Sequence, residues 1–483
     1  MTPSDLMASL PLLIVAAWAC LVLLADLFIP ADRKGWTALL AGLGLLGALA
    51  ALLLGDGTWR QAFGGMILQD GYSGFLQGLF LATGLLGILV AHDYMRRTRI
   101  ERGEYYALLL FTVAGMMLMS LAGDLIVVFV AIELLSLPLY VLSGFARPKA
   151  ESEEAAMKYF LLGAFASGFL VYGIALVFGA TATTNMGEVV AALRGGGIDS
   201  RLMLAGVALI LVGLGFKVAA VPFHMWIPDV YHGAPSAVVA FMSVGAKAGG
   251  FAALLRVFVA AFPDLAASWG ELAMWISALT MTWGNVAAIA QSNIKRMLAY
   301  SSIAHAGYIL MVLPAAAQAR VAPAGISAAL FYLLAYLVSN LGAWAVVIAV
   351  EKAEGGGLAI EDYAGLARRR PGLALAMALF MLSLTGLPPT VGFIGKFFVF
   401  RAALDAGLVW LALVGVLTSL VSAYYYLRVV VMMYMRSGDP ETRSEGWLNL
   451  AVALTAIGTF LLGVLPGPLL SMAARAGLMP LLP

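Results

Sequence analysis

Long apolar runs, each close to the length that crosses a bilayer, constrain this chain more than any other feature of its sequence. A transmembrane helix needs about 20 apolar residues to cross a hydrocarbon core of about 30 Å. Runs of this kind predict roughly fourteen helices, over residues 6–29, 36–55, 73–92, 104–122, 124–145, 156–180, 202–221, 236–258, 271–290, 297–315, 324–350, 372–403, 407–433 and 447–470.

The composition agrees with a polytopic membrane protein. Hydrophobic residues make up 63% of the 483 residues and charged residues only 11%, whereas soluble domains carry about 25% charged residues. The first apolar run is too long for a signal peptide and no basic segment precedes it, so we predict a retained helix. The expected fold class is therefore an all-α polytopic membrane protein.

Prolines predict an interruption at membrane depth in two segments of the chain. A straight helix over 372–403 would be about 48 Å long at 1.5 Å per residue, and Pro388-Pro389 offers the place for an interruption. The stretch 215–235, GFKVAAVPFHMWIPDVYHGAP, likewise places three prolines after Lys217. Broken helices inside a membrane are tolerated only where they are buried in protein or line a wet cavity. Both interruptions therefore indicate functional positions.

Basic residues fall mainly in the loops on one side of the predicted bundle: Arg33, Lys34, Arg96, Arg97, Arg99, Arg102, Arg147, Lys149, Lys295, Arg296, Lys352, Arg368, Arg369, Arg370, Arg436 and Arg443. The opposite side has fewer: Arg60, Arg194, Arg201, Arg320, Arg401 and Arg475. Cytoplasmic loops are enriched in lysine and arginine, so the pattern places both termini outside the cytoplasm.

No linker or soluble domain separates the predicted helices, so residues 1–483 are expected to form a single membrane domain. We divide it into three N-terminal helices (1–103), a first five-helix block (104–260), a second five-helix block (261–435) and a C-terminal helix (436–483). Because five is odd, the second block starts from the opposite side of the membrane. This order predicts two repeats of inverted topology.

Four ionisable residues lie deep in the predicted helices: Glu133, Lys217, Lys247 and Lys396. Intramembrane ionisable residues usually mark ion or proton paths. The structural alternatives are a protonated, hydrogen-bonded acid at Glu133 and lysines that reach the interface or a backbone carbonyl. The adjacent helix interruptions favour the proton-path interpretation for Lys217 and Lys396.

Three further ionisable residues lie in or near the predicted helices, and two of them, Lys158 and His305, leave two interpretations open. Lys158 follows an acidic run at the start of its helix, so it is either a solvated helix start or part of the path. His305 follows two serines and is either a proton relay or a core histidine. Arg256 lies a turn from its helix end, where an arginine that reaches the interface is expected.

The sequence offers no site for a cofactor, a metal ion or nucleic acid. Its single cysteine, Cys20, cannot build an iron–sulfur cluster or an internal disulfide. The segment GLGLLG at 42–47 matches a dinucleotide-binding pattern only in letters, because no strand precedes it. We expect this chain to transport charge across the membrane. Any redox chemistry is expected to occur in other chains.

Several motifs resemble the antiporter-like subunits of proton-translocating NADH:quinone oxidoreductase, respiratory complex I. They are IELLSLPLYVL around Glu133, AAMKYFLLGAFAS at 155–167, the stretch 215–235, IKRMLAYSSIAHAGY at 294–308 and GLPPTVGFIGKFFVF around Lys396. The resemblance covers nearly the whole chain. Lysine at 396, where subunit M usually has glutamate, and an end soon after helix fourteen, where subunit L has a lateral helix, favour the subunit N group.

The resemblance implies fourteen helices, two inverted five-helix repeats and interrupted helices seven and twelve. It also implies a midplane proton path through Glu133, Lys217, Lys247 and Lys396. NADH, FMN, iron–sulfur clusters and quinone would bind partner subunits, not this chain. The implied partners are the other membrane subunits, especially M and K and the lateral helix of L, together with lipids, in a bacterial inner membrane.

Two other functions remain open from the sequence. A sodium/proton antiporter subunit shares much of this architecture, and a purely structural membrane subunit could use buried charges to hold partner helices. Association with flavin and iron–sulfur subunits would favour complex I, whereas sodium-dependent exchange without them would favour an antiporter.

Overall fold

The computed structural model describes residues 2–30, 33–55, 57–352, 355–478 and 481. Within these ranges, 13 helices are long and apolar enough to cross a membrane, and the shorter apolar helix Pro371–Thr385 adds half of another span. The prediction of an all-α polytopic fold is confirmed.

The N-terminal part comprises α1 (Pro3–Asp26), α2 (Gly35–Leu54), the antiparallel hairpin β1 (Arg60–Ala62) and β2 (Ile67–Gln69), and α3 (Gly71–Arg97). The first block comprises α4 (Glu104–Leu121), α5 (Leu125–Ser143), α6 (Ala150–Thr181), α7 (Met186–Gly195), α8 (Ser200–Val218), α9 (Trp226–Gly233) and α10 (Ser236–Leu255), which continues as a π-helical turn over Arg256–Ala261. The hairpin and the short helix α7 were not predicted.

The second block begins with a 3-10 turn (Pro263–Leu265) and comprises α11 (Ala266–Ile289), α12 (Ile294–Leu310), α13 (Val312–Ala316), α14 (Ala322–Val350), a 3-10 turn (Ile360–Tyr363), α15 (Leu366–Arg369), α16 (Pro371–Thr385), α17 (Val391–Asp405) and α18 (Val409–Met435). The chain closes with α19 (Gly446–Val464) and α20 (Gly467–Arg475). The inverted repeats stay a prediction.

Both predicted interruptions are present. The chain leaves α8 at Ala219, whose φ of 66° is left-handed, and α9 begins only at Trp226. The second break lies between α16 and α17, where Gly386 takes a φ of 89°. Proline cannot supply the backbone donor that a continuous helix requires. Two half-helices therefore end inside the bundle and leave terminal carbonyl groups there.

Contacts near the ends of the helices show which helix ends lie on the same side of the bundle. On the basic side, Arg97 at the end of α3 donates a hydrogen bond of 2.8 Å to the carbonyl oxygen of Arg443, in the loop before α19. On the opposite side, Arg194 at the end of α7 lies 3.3 Å from Asp264. The alternation of helices inferred from the basic residues is consistent with these contacts.

The centre of the bundle is formed by α10, α12 and α14. The most apolar 18-residue windows of these helices are 100%, 94% and 89% buried, against 33% for α6 and α18 on the periphery. Ionisable residues in the middle of these three helices are therefore shielded from the bilayer headgroups, and other protein groups must satisfy them.

Two glycines bring α11 and α12 into backbone contact. A Cβ added at Gly284 would lie 2.5 Å from the backbone nitrogen of Ala304, and one at Gly307 would lie 2.5 Å from that of Met281. Small residues permit such close helix approach in membranes. His305 thus lies on a segment of α12 that is fixed against α11 on both sides.

Candidate proton-path site

Five of the six residues selected from the sequence lie inside the bundle. Lys217, Lys247, His305 and Lys396 are at most 4% exposed, and Glu133 is partly buried. They lie on five different helices, α5, α8, α10, α12 and α17. The site is therefore formed between helices and not along the face of one helix. The sixth residue, Lys158, lies apart from this group.

Lys217 lies in the last turn of α8, where the negative end of the helix dipole favours a cation. Its Nζ donates to Ser136 Oγ at 2.8 Å and to Tyr159 OH at 3.3 Å. Glu133 accepts instead from Ser167 Oγ. The ion pairs of the described residues do not join Glu133 to Lys217, so hydroxyl groups separate the two charges.

A small cavity connects the environments of these two charges. Ser167, which binds Glu133, and Ser136 and Lys217 all line it, and its volume is about 10 Å³. A cavity of this size is at the lower limit for one water molecule, and a polar lining is the condition for holding one. The hydroxyl groups that bind Glu133 and Lys217 therefore face the same small cavity.

Lys247 lies at the middle of α10 and next to the Lys217 region. Gly250, one turn along α10, packs against Lys217, because a Cβ there would come within 3.2 Å of Lys217 Cγ. The Nζ of Lys247 donates to the hydroxyl and the carbonyl oxygen of Ser302 on α12. It also lies 5.1 Å from the centroid of the Tyr336 ring on α14. Lys247 thus lies between the Lys217 region on one side and Ser302 and Tyr336 on the other.

His305 continues the site on α12. Its Nδ1 lies 2.8 Å from Tyr332 OH and its Nε2 lies 3.1 Å from Tyr426 OH. Its ring is also 5.1 Å from that of Tyr336, which contacts Lys247. A neutral imidazole donates from one nitrogen and accepts at the other. Both hydroxyls are therefore placed for a change of tautomer at His305.

Lys396 ends the row at the second helix interruption. Its Nζ donates to the Thr385 carbonyl oxygen and to Ser419 Oγ, both at 2.8 Å. Thr385 is the last residue of α16, so this lysine, like Lys217, satisfies the C-terminal end of a half-helix. The Tyr308 ring centroid lies 4.6 Å from Nζ, and the same ring is 5.8 Å from that of His305.

Lys158 lies outside the buried row, near the start of α6 on the basic side. Its side chain is 41% exposed and lies 2.7 Å from both Glu154 and Asp229. Arg296 contacts the same Asp229 at 3.2 Å. This environment resembles the solvated helix start that the sequence left open.

Arg256 is a buried residue that the sequence placed wrongly at the interface. Its guanidinium makes two hydrogen bonds of 2.9 Å to Asp70 and a third of 2.8 Å to the Ser120 carbonyl oxygen. The arginine is fully buried beside the Tyr72 ring. No local pattern shows this pair, since the two residues are 186 positions apart. It ties α3, α4 and α10 together.

The chemistry of the site is that of proton transfer. An amine, a carboxylate or an imidazole makes hydrogen bonds with hydroxyl groups at each position of the site. In the described ranges, groups of three or more His, Cys, Asp or Glu that could hold a metal ion are absent. Lysine and hydroxyl groups supply proton donors and acceptors rather than soft metal ligands.

Known proteins share this sequence over nearly its full length. A family model described as NADH:quinone oxidoreductase/Mrp antiporter matches residues 122–422. NADH-quinone oxidoreductase subunit N of Chloroflexus aggregans is 48% identical, over 98% of this chain and 97% of the relative. The subunit N of Trichlorobacter lovleyi is 46% identical, over 97% and 96%. The chain belongs to the subunit N family of NADH-quinone oxidoreductase.

Solved structures agree with this family. A chain of respiratory complex I from Thermus thermophilus with bound aureothin is 38% identical, covers 96% of this chain and 99% of its own, and superposes with a TM-score of 0.82. A chain of the Mrp complex from Dietzia superposes equally well, at 0.82, over 99% of this chain and 97% of its own, but is only 24% identical. The fold is thus shared with antiporter complexes, while the sequence follows the subunit N family.

Proposed function

We propose that this chain is a proton-translocating membrane subunit of an NADH:quinone oxidoreductase. Protons move through Glu133, Lys217, Lys247, His305 and Lys396. The observation that carries this proposal is the row itself, because each of its ionisable side chains is hydrogen-bonded to a hydroxyl group inside the bundle. Burial of five ionisable groups is costly, and a merely structural subunit gains little from placing them end to end.

The helix interruptions allow a conformational change that alters the protonation of a lysine in the row. Burial disfavours a charged lysine, while a carboxylate nearby favours it. A change in the distance between Glu133 and Lys217 therefore alters how firmly the amine holds its proton. The half-helix end at Ala219 is the place where such a change requires the least rearrangement, because no continuous helix resists it. Redox energy reaches it from partner subunits as a conformational or electrostatic change.

The placement in the membrane follows from the basic loops. The basic side faces the cytoplasm and both termini lie on the periplasmic side of a bacterial inner membrane. Subunits M and K and the lateral helix of subunit L cover part of the outer surface, and lipids cover the rest. Large apolar side chains on the outer helices, such as Phe165 (72% exposed) and Leu420 (71% exposed), support this.

The chain itself holds no prosthetic group in this proposal, and NADH, FMN, iron–sulfur clusters and quinone bind its partners. One cysteine cannot ligate a cluster. The subunit, expressed alone in membranes, is expected to show the ultraviolet absorption of its tryptophan and tyrosine residues and no absorption bands in the visible range. A flavin, haem or cluster spectrum would contradict this part of the proposal.

Proton pumping by the intact complex tests the function. Membrane vesicles that contain the assembled complex are expected to acidify on NADH addition, and substitution of Lys247 by alanine is expected to abolish the part that depends on this subunit. Sodium-dependent exchange in vesicles without the redox subunits would favour the antiporter alternative instead. Unchanged pumping by Lys247→Ala would leave the row without a role in transport.

A further inference from the structure

A second polar track, outside the row described above, follows the face of α14 that packs on α10. Asn340, Trp344 and the capping residue Glu351 are spaced by four and seven positions, which is the spacing of one helix face. All three are at most 6% exposed. Asn340 Oδ1, Trp344 Nε1 and Glu351 Oε2 are buried atoms without a hydrogen-bond partner among the described residues.

The facing side of α10 carries a matching track. Ser236, Ser243 and Lys247 are spaced by seven and four positions, and the Oγ of Ser236 is also buried and unpartnered within the described part of the chain. Because α10 and α14 run in opposite directions, the two tracks meet in register. Asn340 Nδ2 donates to Ser243 Oγ at 2.7 Å.

The two ends of the track are fixed by different contacts. At the inner end, Lys247 lies against the Tyr336 ring, one turn before Asn340. At the basic side, the Ser236 backbone nitrogen donates to Tyr94 OH at 3.3 Å, and Tyr94 OH donates to Glu351 Oε1 at 3.4 Å. The track therefore extends over the twelve residues from 236 to 247, about 16 Å along α10.

Unpartnered buried polar atoms are costly and uncommon. Each costs about 1–3 kcal/mol when it stays unpaired, and the large majority of buried polar groups in proteins are paired. Here four of them follow one helix interface and include both donors and acceptors, since an indole N–H only donates and a carboxylate only accepts. Buried water molecules, each of which makes about three hydrogen bonds, satisfy unpaired groups of both kinds in proteins.

Cationic groups surround the outer end. Arg97 lies over the Tyr94 ring at 5.9 Å and donates to the Ile348 carbonyl oxygen at 2.6 Å. Lys295 is buried nearby and donates to the Ala234 carbonyl oxygen at 2.8 Å. Both cations therefore interact electrostatically with the Glu351 carboxyl group. Tyr363, in the loop after α14, adds a further buried and unpartnered hydroxyl in the described ranges.

We propose that Glu351 is the proton-uptake group of this subunit and that the α10/α14 track delivers protons from it to Lys247. The carboxylate of Glu351 takes a proton from the water on the basic side and becomes a carboxylic acid. It then releases the proton to the track, and the Lys247 amine receives one at the inner end and becomes an ammonium. Lys247 passes the proton on to the row. The inference rests on the proposed function, and it adds the route by which the row is refilled.

Substitution of Glu351 by glutamine in the assembled complex tests the uptake role. A positioned proton-transfer group typically contributes about 10²–10⁴-fold, so we expect NADH oxidation in coupled vesicles to become at least about tenfold slower. Proton uptake then limits the rate, so the rate falls further in D₂O than it does for the wild-type complex. Glu351→Asp keeps the carboxyl group and is expected to recover part of the rate.

The matched control is Asp93→Asn. Asp93 is also a buried carboxyl on the basic side, but its Oδ2 accepts from the Leu448 backbone nitrogen at 2.9 Å and faces α19, away from the track. This variant is expected to keep the wild-type isotope effect. Normal pumping by assembled Glu351→Gln, or an equal D₂O effect in both variants, would overturn the uptake assignment.

A second variant interrupts the track without touching its ends and serves if Glu351→Gln fails to assemble. Asn340→Leu fills the middle with an apolar side chain, and we expect the same slowing and the same rise in the isotope effect. Ser339→Ala, one position around α14 and bonded to Ser383 on α16, is the control. If Lys247→Ala stops pumping while Asn340→Leu pumps normally, only the uptake route is refuted. If Lys247→Ala pumps normally, the proposed row itself fails.

Discussion

Lys217 donates a hydrogen bond of 2.8 Å to Ser136, which lies one turn along α5 from Glu133. The amine and the carboxylate therefore share a helix surface without sharing a bond. A separation of this kind lets a small movement of the half-helix α8 change their interaction, because the interaction of two charges depends strongly on their distance in a medium of low dielectric constant.

Removal of either charge should disable the pair. We expect Glu133→Gln and Lys217→Ala, in complexes that assemble normally, to reduce proton pumping and NADH oxidation together by at least about tenfold, since a positioned proton-transfer group typically contributes about 10²–10⁴-fold. Acidification of vesicles and the rate of NADH oxidation are measured in parallel. Glu154→Gln, an exposed carboxyl on α6, is the control. Wild-type pumping by the two variants would remove the pair from the mechanism.

Lys396 distinguishes a proton carrier from a fixed charge. A buried lysine can become neutral, whereas arginine stays charged because its pKa is above about 12. Lys396→Arg is therefore expected to assemble but to pump as poorly as Lys396→Ala. Complex abundance is checked on native gels and proton translocation in sealed vesicles. Full pumping by the arginine variant would show that a permanent charge is sufficient at this position.

Lys158 tests whether exposure separates structural from functional lysines. Its pairs with Glu154 and Asp229 are partly solvated, and exposed ion pairs contribute about 0.2–1 kcal/mol. We expect Lys158→Met to lower thermal stability slightly and to leave pumping within about twofold of wild type, in contrast to Lys247→Met. A loss of pumping as large as that of Lys247→Met would instead establish Lys158 as a part of the path.

The buried pair of Arg256 and Asp70 should act on stability rather than on transport. Removal of one partner from a buried ion pair typically costs about 3–5 kcal/mol, while replacement of both by apolar residues is often neutral. Arg256→Met alone is thus expected to reduce the yield of assembled complex and its melting temperature. The double variant Asp70→Leu/Arg256→Met is expected to recover much of both. A double variant no more stable than the single one would contradict this explanation.

The spans and both helix breaks were predictable because their signals are local. A run of about 20 apolar residues has few other solutions in a bilayer, and Pro388-Pro389 cannot continue a helix. The hairpin at Arg60–Gln69 and the helix Met186–Gly195 were missed, since both are short and lie between spans. Their sequences give little periodicity on which to base an assignment.

The ionisable residues of the row were also predictable, because charge inside a long apolar run is conspicuous. Their hydrogen-bond partners were not. Several serines and tyrosines occur on the same helices, and only packing decides that Ser136 faces Lys217 while Ser167 faces Glu133. The polar face of α14 carried a readable signal, the spacing of Asn340, Trp344 and Glu351, but its meaning depends on what α10 places opposite.

The glycine contacts between α11 and α12 have a mechanical consequence. Backbones that touch at Gly284 and Gly307 cannot slide past each other without a steric clash. The helix pair α11 and α12 is therefore rigid, and it holds His305 in a fixed position. A conformational change imposed by a partner subunit would then be taken up at the two helix interruptions, where no continuous ladder of backbone hydrogen bonds has to break. The subunit thus combines a rigid helix pair, which carries His305, with two helix interruptions that can change conformation. Lys217 and Lys396 lie at these interruptions.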